Sequence, residues 1–179
     1  MLKLIAKLIA LPVVADWLIR RAQRTPYFHI KDEDGSVYME RYWLFNPYPT
    51  GNDGGGRRWG DWMPSIRIHR IMREDRDRHL HDHPWNARAF ILSGWYFEVR
   101  PNVPGYIVRL PGQTATLRFG EYHRIAKVSP AGAWTLFVTR RKRGTWGFLV
   151  NGVKVPWRVY LGIDAGDPAH SEDEQKGGA

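Results

Sequence analysis

The chain has 179 residues and no cysteine, which excludes disulfide bonds and thiolate ligands and leaves nitrogen and oxygen donors for any metal. That length favours a single domain with its own core, and the lack of cysteine fits a cytoplasmic location. The net charge of +9 is compatible with an acidic ligand, an anionic membrane or a solvated basic surface. Nucleic acid is the less favoured partner, because no recognised binding motif accompanies the charge.

Residues 1–24 contain the first predicted element, a helix from about Leu2 to Gln23 that Pro12 can kink. Its longest uncharged run, Leu8 to Ala15, is too short to cross a bilayer, so we expect no transmembrane segment. One side of the helix is apolar, and we expect it to pack on the β-rich part of the chain or on a partner subunit: Leu4, Leu8, Leu11 and Leu18, flanked by Ile5 and Ile19. A homodimer therefore stays open. A membrane-surface anchor and a signal peptide ending near Ala15 are the alternatives.

Residues 25–163 predict a β-rich domain, in which short alternating segments are separated by glycine and proline turns. This pattern is typical of an antiparallel sandwich or barrel. The expected strands are Val37–Phe45, Ser65–Arg73, Ala87–Arg100, Gly105–Leu110, Thr114–Phe119, Ala133–Arg140, Trp146–Val150 and Val153–Tyr160. The stretch 46–62, rich in proline and glycine, predicts a long loop that could act as a lid, and the acidic tail 164–179 predicts disorder.

Two segments carry the chemistry. The first contains His81 and His83, followed a strand's length later by Gly94, and the second contains Gly112, Gly120 and His123. Side chains at i and i+2 of a strand point to the same face, so His81 and His83 can present two imidazoles to one side of a sheet. A third imidazole from His123 would complete a site for a divalent transition metal with open positions for water or substrate.

These spacings resemble the two motifs of the cupin superfamily, Gly-x5-His-x-His-x3,4-Glu-x6-Gly and Gly-x5-Pro-x-Gly-x2-His-x3-Asn, over roughly residues 64–160. The run from Leu80 to Gly94 also looks like uncharacterised cupin-like proteins of bacteria and their phages. Four motif positions depart from the pattern. Asp75 replaces the first glycine, Ala87 the glutamate ligand, Arg118 the proline and Lys127 the asparagine. The resemblance implies an all-β double-stranded β-helix, the cupin jelly-roll barrel, preceded by the N-terminal helix.

The missing glutamate moves the resemblance toward the three-histidine sites of thiol dioxygenases. It implies a divalent transition metal, Fe(II) first and Zn, Ni or Mn as alternatives, held by His81, His83 and His123. The implied activity is an Fe(II)-dependent dioxygenase or other oxidoreductase acting on a small, anionic substrate. Two other classes stay open: a non-redox isomerase or lyase of a sugar or small metabolite, and a non-catalytic ligand-binding or structural cupin.

Substrate-binding candidates are weaker. Arg118 and Arg124 could bind a carboxylate or phosphate in bidentate fashion, Trp85 would pack beside the site, and Tyr96 would need a bulge in its strand to face inward. Two further histidines, His79 and His69, remain candidates to join the site. Asp82 lies between the two motif histidines and should point away from them and bond to backbone.

Overall fold

Three short helices and twelve strands make up the protein in a computed structural model that describes residues 1–31, 34–47 and 62–162. The predicted tail and most of the predicted lid loop lie outside these residues. The helices are α1 (Leu2–Ile9), α2 (Pro12–Ala22) and α3 (Trp157–Tyr160). The strands are β1 (Ile30–Lys31), β2 (Val37–Phe45), β3 (Ser65–Ile71), β4 (Leu80–His81), β5 (Trp85–Ser93), β6 (Tyr96–Val99), β7 (Ile107–Arg109), β8 (Thr114–Leu117), β9 (Arg124–Val128), β10 (Ala133–Lys142), β11 (Gly147–Val150) and β12 (Val153–Pro156).

Two antiparallel sheets face one another. The first has the strand order β1-β2-β3-β10-β5-β8. The second consists of β12-β11-β4 and β7-β6-β9, which are joined by an antiparallel bridge between His81 and His123. Both backbone hydrogen bonds of this bridge, N–H of each histidine to the carbonyl of the other, are 2.9 Å long. Two histidines of the predicted site therefore join the two parts of the second sheet.

The inner space between the sheets and the outer face of the first sheet are both apolar. Inside, Ile71 and Ile91 of the first sheet pack with Tyr96 and Ile125 of the second. Outside, helices α1 and α2 cover Ile68, Phe90, Leu92 and Leu136. The first sheet is thus buried on both faces, which explains the nearly continuous burial from Ala89 to Leu92 in β5.

The N-terminal segment forms two helices where one was expected. Leu11 precedes Pro12 and has φ −58° and ψ 132°, an extended conformation favoured before proline, so the first helix ends and a second begins with Pro12. The face that packs on the barrel is only in part the expected one, since Leu18 and Ile19 pack against the first sheet as expected. Ala6, Ala15, Leu18 and Ala22 contact the sheet, whereas the expected Leu4, Leu8 and Leu11 are exposed. Small alanines let the helix backbones approach the sheet closely.

The expected strand 87–100 is divided at Gly94 between the two sheets, since β5 belongs to the first sheet and β6 to the second. Gly94 has φ +70°, and a Cβ at this position would lie 2.2 Å from the carbonyl oxygen of Gly132. Only glycine fits this crossing. The turn also changes which alternate residues face inward: Ala87 and Ala89 before the crossing, Tyr96 and Glu98 after it.

The expected strand Val153–Tyr160 is wrong in its second half. Pro156 has no N–H to continue the sheet, and Trp157–Tyr160 turn into helix α3. The short strands β1, β4 and β9 were not expected from the sequence. Among the described residues, no helix combines the length and apolar content that crossing a lipid bilayer requires.

Candidate metal centre

Three histidines meet in the second sheet, as their spacing predicted. His81 ends β4 and His123 lies directly opposite, so their rings come within 4.9 Å between centroids. His83 follows two residues later, and its Nε2 lies 2.8 Å from Nε2 of His123. One ring nitrogen from each of the three lies within 4.8 Å of the others. Backbone pairing supplies two of the three imidazoles, and the segment that follows β4 supplies the third.

Two of the imidazoles, those of His81 and His83, are held in the neutral form, which is the form that binds metals. Burial lowers the pKa of His81 to about 4, although the nearby carboxylate of Asp75 opposes this effect. Burial also lowers the pKa of His83 well below its usual value, and the proximity of His123 and His81 adds to the effect. Lone pairs on these two rings are therefore available at neutral pH without prior loss of a proton.

Carboxylates stand behind two of the three rings. Oε1 of Glu98 lies 3.1 Å from Nδ1 of His123, and Oδ2 of Asp75 lies 3.8 Å from Nδ1 of His81. Asp75 is itself held by the Tyr38 hydroxyl and by the backbone N–H of Ile125. A carboxylate behind a histidine orients the ring and makes its free nitrogen a better ligand, as is common in metal sites.

Glu98 is the centre of a buried charge network that the sequence did not reveal. It is 1 % exposed, with Arg100 Nε donating to Oε1 at 2.8 Å and Arg109 Nε donating to Oε2 at 2.7 Å. Burial alone would raise the pKa of Glu98, but His123 and the two guanidinium groups outweigh it and lower the pKa to about 2. Glu98 is therefore an anion that positions His123, and the turn at Gly94 is what directs it inward.

The wall beside the histidines is aromatic and basic. The ring of Trp85 stacks with His83 at 6.2 Å between centroids, and Phe137 lies between His83 and His69. Arg67, 2 % exposed, lies over the ring of Trp85 at 5.4 Å. Its cation is thus one aromatic ring away from His83. The alternation of β3 could have indicated this, since Arg67 and His69 share a face.

The position that holds glutamate in the first cupin motif is apolar and enclosed. Ala87 is 6 % exposed and packs with Ala89, Leu117 and Phe137 on the inner face of the first sheet. Because alanine has no carboxylate, position 87 supplies no fourth ligand to the histidines. The group of ligands that the described residues bring together therefore consists of three imidazoles and no carboxylate.

The weaker candidates separate into two groups. Trp85 lies beside His83, and Tyr96 is buried with its side chain inward, where burial and the charge of Glu98 raise its pKa. Arg118 is largely exposed, and its contacts within the described residues are with Glu121. Arg124 is next to His123 in an extended segment, so alternation turns it away from the metal ligands.

Neighbouring polar residues have structural partners. Asp82 is fully buried and accepts hydrogen bonds from the N–H of Gly147 and the ammonium group of Lys154, so it bonds to backbone as expected. Nδ1 of His79 lies 2.8 Å from the hydroxyl of Tyr160, away from the three-histidine group. His69 differs, because its Nε2 is buried with no hydrogen-bond partner among the described residues.

The three nitrogens fit a transition metal in kind and in spacing. Ligands about 2.0–2.2 Å from one ion lie roughly 3–3.5 Å from each other, and the observed separations, from 2.8 Å up to 4.8 Å, include that range. A set of nitrogen donors suits Fe, Zn or Ni better than Mn and does not suit Ca²⁺ or Mg²⁺.

No family model and no curated protein matches the chain. Solved structures do. A DMSP lyase from Ruegeria pomeroyi DSS-3 is 15 % identical, with 82 % of this chain and 68 % of that chain covered and a TM-score of 0.51. The structures of the DMSP lyases RdDddP and RnDddQII give 17 % identity, coverage of 71 % and 62 %, and a TM-score of 0.51.

A cupin-2 domain protein from Rhodospirillum rubrum is 14 % identical, covers 85 % of this chain and 88 % of its own, and has a TM-score of 0.47. Likeness at such identity shows the fold and not the activity. The two matches with a TM-score of 0.51 and the two opposed antiparallel sheets confirm the predicted double-stranded all-β fold, and helices α1 and α2 precede it as expected.

Proposed function

We propose that this protein is a metal-dependent enzyme in which His81, His83 and His123 hold one divalent transition metal. The observation that carries the proposal is the convergence of three ring nitrogens within 4.8 Å, two of them on rings backed by carboxylates. Isolated buried histidines are usually satisfied by hydrogen bonds to the protein. Here the Nε2 atoms of His83 and His123 lie 2.8 Å apart, where one ring can donate a hydrogen bond to the other, and a metal bound by both nitrogens would replace the shared proton.

Fe(II) is the metal we propose first, for oxidation of a small anionic molecule. Three neutral ligands leave the full charge of the ion uncompensated, so the site favours an anionic ligand in its open positions. Fe(II) bound in this way would supply a binding position for the substrate and the redox chemistry that dioxygen requires. Zn, Ni and Mn would bind the same donors, and metal content distinguishes them.

The chain's own residues then bind and orient the substrate. Arg67 places a buried cation beside Trp85, and we assign it, in place of Arg118 and Arg124, to the anionic group of the substrate. Trp85 and Phe137 form an apolar wall next to His83 that excludes water. The unpartnered Nε2 of His69, whose ring stacks on Phe137, would form a hydrogen bond with the substrate.

His69 also favours a second candidate, a non-redox lyase or isomerase. Such chemistry needs a base, and the carboxylates of Glu98 and Asp75 are both engaged behind the metal ligands. Burial and nearby arginines lower the pKa of His69 well below its usual value, which keeps its ring neutral but makes it a weak base, suited to a substrate proton that a bound metal would acidify. A third possibility, a non-catalytic cupin, would retain the metal and the ligand without turnover.

Metal content of protein purified without a histidine tag tests the site directly. We expect one transition metal per chain, with His123→Ala reducing it to background and His79→Ala, a matched histidine outside the group, leaving it unchanged. Equal loss in both variants would contradict the proposed ligand set. Circular dichroism of His123→Ala should show a folded barrel, because one ligand is removed from an otherwise intact sheet.

Oxygen uptake with candidate carboxylates, phosphates and sulfonium compounds separates the functions. Uptake that requires iron and substrate together supports oxidation. Product formation without uptake, lost in His69→Gln, supports the lyase or isomerase. A ligand that binds tightly through Arg67 without any turnover would identify a binding protein and refute the enzymatic proposal.

A further inference from the structure

The N-terminal helices turn an apolar face away from the protein. Leu4, Leu8 and Leu11 are 62 %, 51 % and 51 % exposed, and Trp17 on α2 is 63 % exposed. Residues four apart in a helix lie one above the other, so Leu4 and Leu8 form one ridge. Val13 and Trp17 form a second ridge in the same way. We call these five residues, with the neighbouring Ile5 and Val14, the outward face.

The outward faces of α1 and α2 belong to one surface. Ala6 of α1 and Ala15, Leu18 and Ala22 of α2 pack into the same cluster against the first sheet. Leu4 and Leu8 lie on the side of α1 opposite Ala6, and Trp17 lies on the side of α2 opposite Ala15. Both ridges therefore point away from the same sheet. A helix that packs on the protein through one face usually has polar residues on the opposite face. A contiguous apolar surface that is exposed there marks an interaction site.

Cations border the outward face. Residues 1–24 contain five basic residues and one acidic residue, Asp16. The basic side chains are all on exposed residues: Lys3, Lys7, Arg20, Arg21 and Arg24. Asp16 pairs with Arg20 at 2.9 Å, so the acidic residue is already neutralised. Leucines with a tryptophan on one side and lysines and arginines at the edges are typical of helices that lie in a membrane interface.

We propose that the outward face binds the surface of an anionic phospholipid bilayer. The leucines and Trp17 would enter the boundary between headgroups and acyl chains, and the cations would contact the phosphates. Neither helix is long enough to span the bilayer, so the protein would lie on it. This inference is independent of the metal centre, which is on the opposite, inner side of the first sheet.

Charge favours a membrane over a second copy of the chain. In a twofold-symmetric dimer, the same patch meets itself, which would bring two copies of Lys3, Lys7 and Arg21 close together. Like charges across an interface cost free energy, and the cores of protein interfaces are depleted in lysine. An anionic bilayer offers both an apolar layer and opposite charge. The net charge of +9 acts in the same direction at long range.

Vesicle co-sedimentation of the full chain tests the proposal. We expect binding to phosphatidylglycerol-containing vesicles, much weaker binding to pure phosphatidylcholine, and a decrease with added salt. Each cation near an anionic surface contributes about fivefold in affinity, so Lys3→Gln with Lys7→Gln should weaken binding roughly 30-fold. Arg140→Gln with Lys142→Gln is the matched control, since both residues are exposed on the barrel, and it should change binding less than about twofold.

The apolar contribution has its own pair of variants. Leu4→Ser, Leu8→Ser and Trp17→Ser together should abolish binding while the thermal unfolding of the protein is retained, because all three side chains are exposed. Tyr106→Ser, Val153→Ser and Val159→Ser replace three similarly exposed apolar residues outside the N-terminal helices and should leave binding intact. Equal loss in both triple variants would overturn the proposal, as would wild-type protein that ignores anionic vesicles. A concentration-dependent dimer that disappears in the Leu4, Leu8 and Trp17 variant would assign the face to a second copy instead.

Discussion

Replacing Glu98 with glutamine should weaken metal binding and destabilise the fold by separable amounts. Glutamine keeps the shape of Glu98 but removes the charge that His123, Arg100 and Arg109 share. Loss of a carboxylate behind a metal-binding histidine typically costs about 10–100-fold in metal affinity. Removing one partner of a buried ion pair costs about 3–5 kcal/mol, because the remaining charges stay buried without compensation.

The structure provides a control that divides these two effects. Arg109 contacts Oε2 of Glu98, whereas His123 faces Oε1. Arg109→Gln therefore removes an ion pair of Glu98 without disturbing the oxygen behind the histidine. We expect it to lower the free energy of unfolding by about 1–3 kcal/mol and to change metal affinity less than about threefold. Arg100 retains the carbonyl of Thr116 as a second acceptor in both variants.

Two measurements check the prediction: metal affinity by competition with a chelator at pH 7, and unfolding of the metal-free protein in urea. The Glu98 variant should have lower metal affinity and lower stability in urea, and the Arg109 variant mainly lower stability. If the two variants lose metal affinity in proportion to their loss of stability, Glu98 acts only through the fold, and its role in positioning His123 is refuted.

Three further predictions concern the barrel and its pH dependence. Gly94→Ala should lower the free energy of unfolding in urea by about 3 kcal/mol or more, since its Cβ would lie 2.2 Å from a backbone carbonyl oxygen. Gly120 has φ +81° and nothing within 4 Å of its Cβ position, so Gly120→Ala should cost only about 1–2 kcal/mol. Equal costs would contradict the close approach. Asp82→Ala should lower the free energy of unfolding by about 3–4 kcal/mol, and Lys154→Met should lower it by less, because Asp82 is fully buried and also accepts a backbone N–H. The reverse order of stability in thermal unfolding would refute this. The metal-free protein should lose stability as pH falls from about 6.5 to about 4, because the unfolded chain takes up a proton that folded His81, with its pKa lowered to about 4, does not. That contribution to the free energy of unfolding is about 3 kcal/mol. In urea unfolding at several pH values, His81→Gln should reduce the slope of the free energy of unfolding against pH.

Much of the candidate site could be predicted because it depends on local geometry. Alternation in a strand places His81 and His83 on one face wherever the strand lies, and the spacing to Gly94 and His123 resembles the cupin motifs. The strand Val37–Phe45 has the bounds that its alternation predicted. Whether these histidines bind a metal stays a prediction.

Glu98 could not be assigned, because its direction depends on a crossing between sheets. The positive φ at Gly94 changes which residues of the expected strand 87–100 face inward, and alternation alone cannot show such a change. Arg118 and Arg124 were proposed for the substrate from their chemistry, whereas Arg67, the buried cation over the ring of Trp85, comes from another strand.

The sequence by itself determined the antiparallel β class, the pairing of His81 with His83 and the amphipathic character of the N-terminal helices, since each follows from a repeat of two or about four residues. The tertiary structure decided which face of those helices meets the barrel. Ala6, Ala15 and Ala22 allow a close approach to the sheet, and the larger Leu4 and Leu8 turn outward. Periodicity defines two faces of a helix, but only the shape of the surface it packs against selects between them.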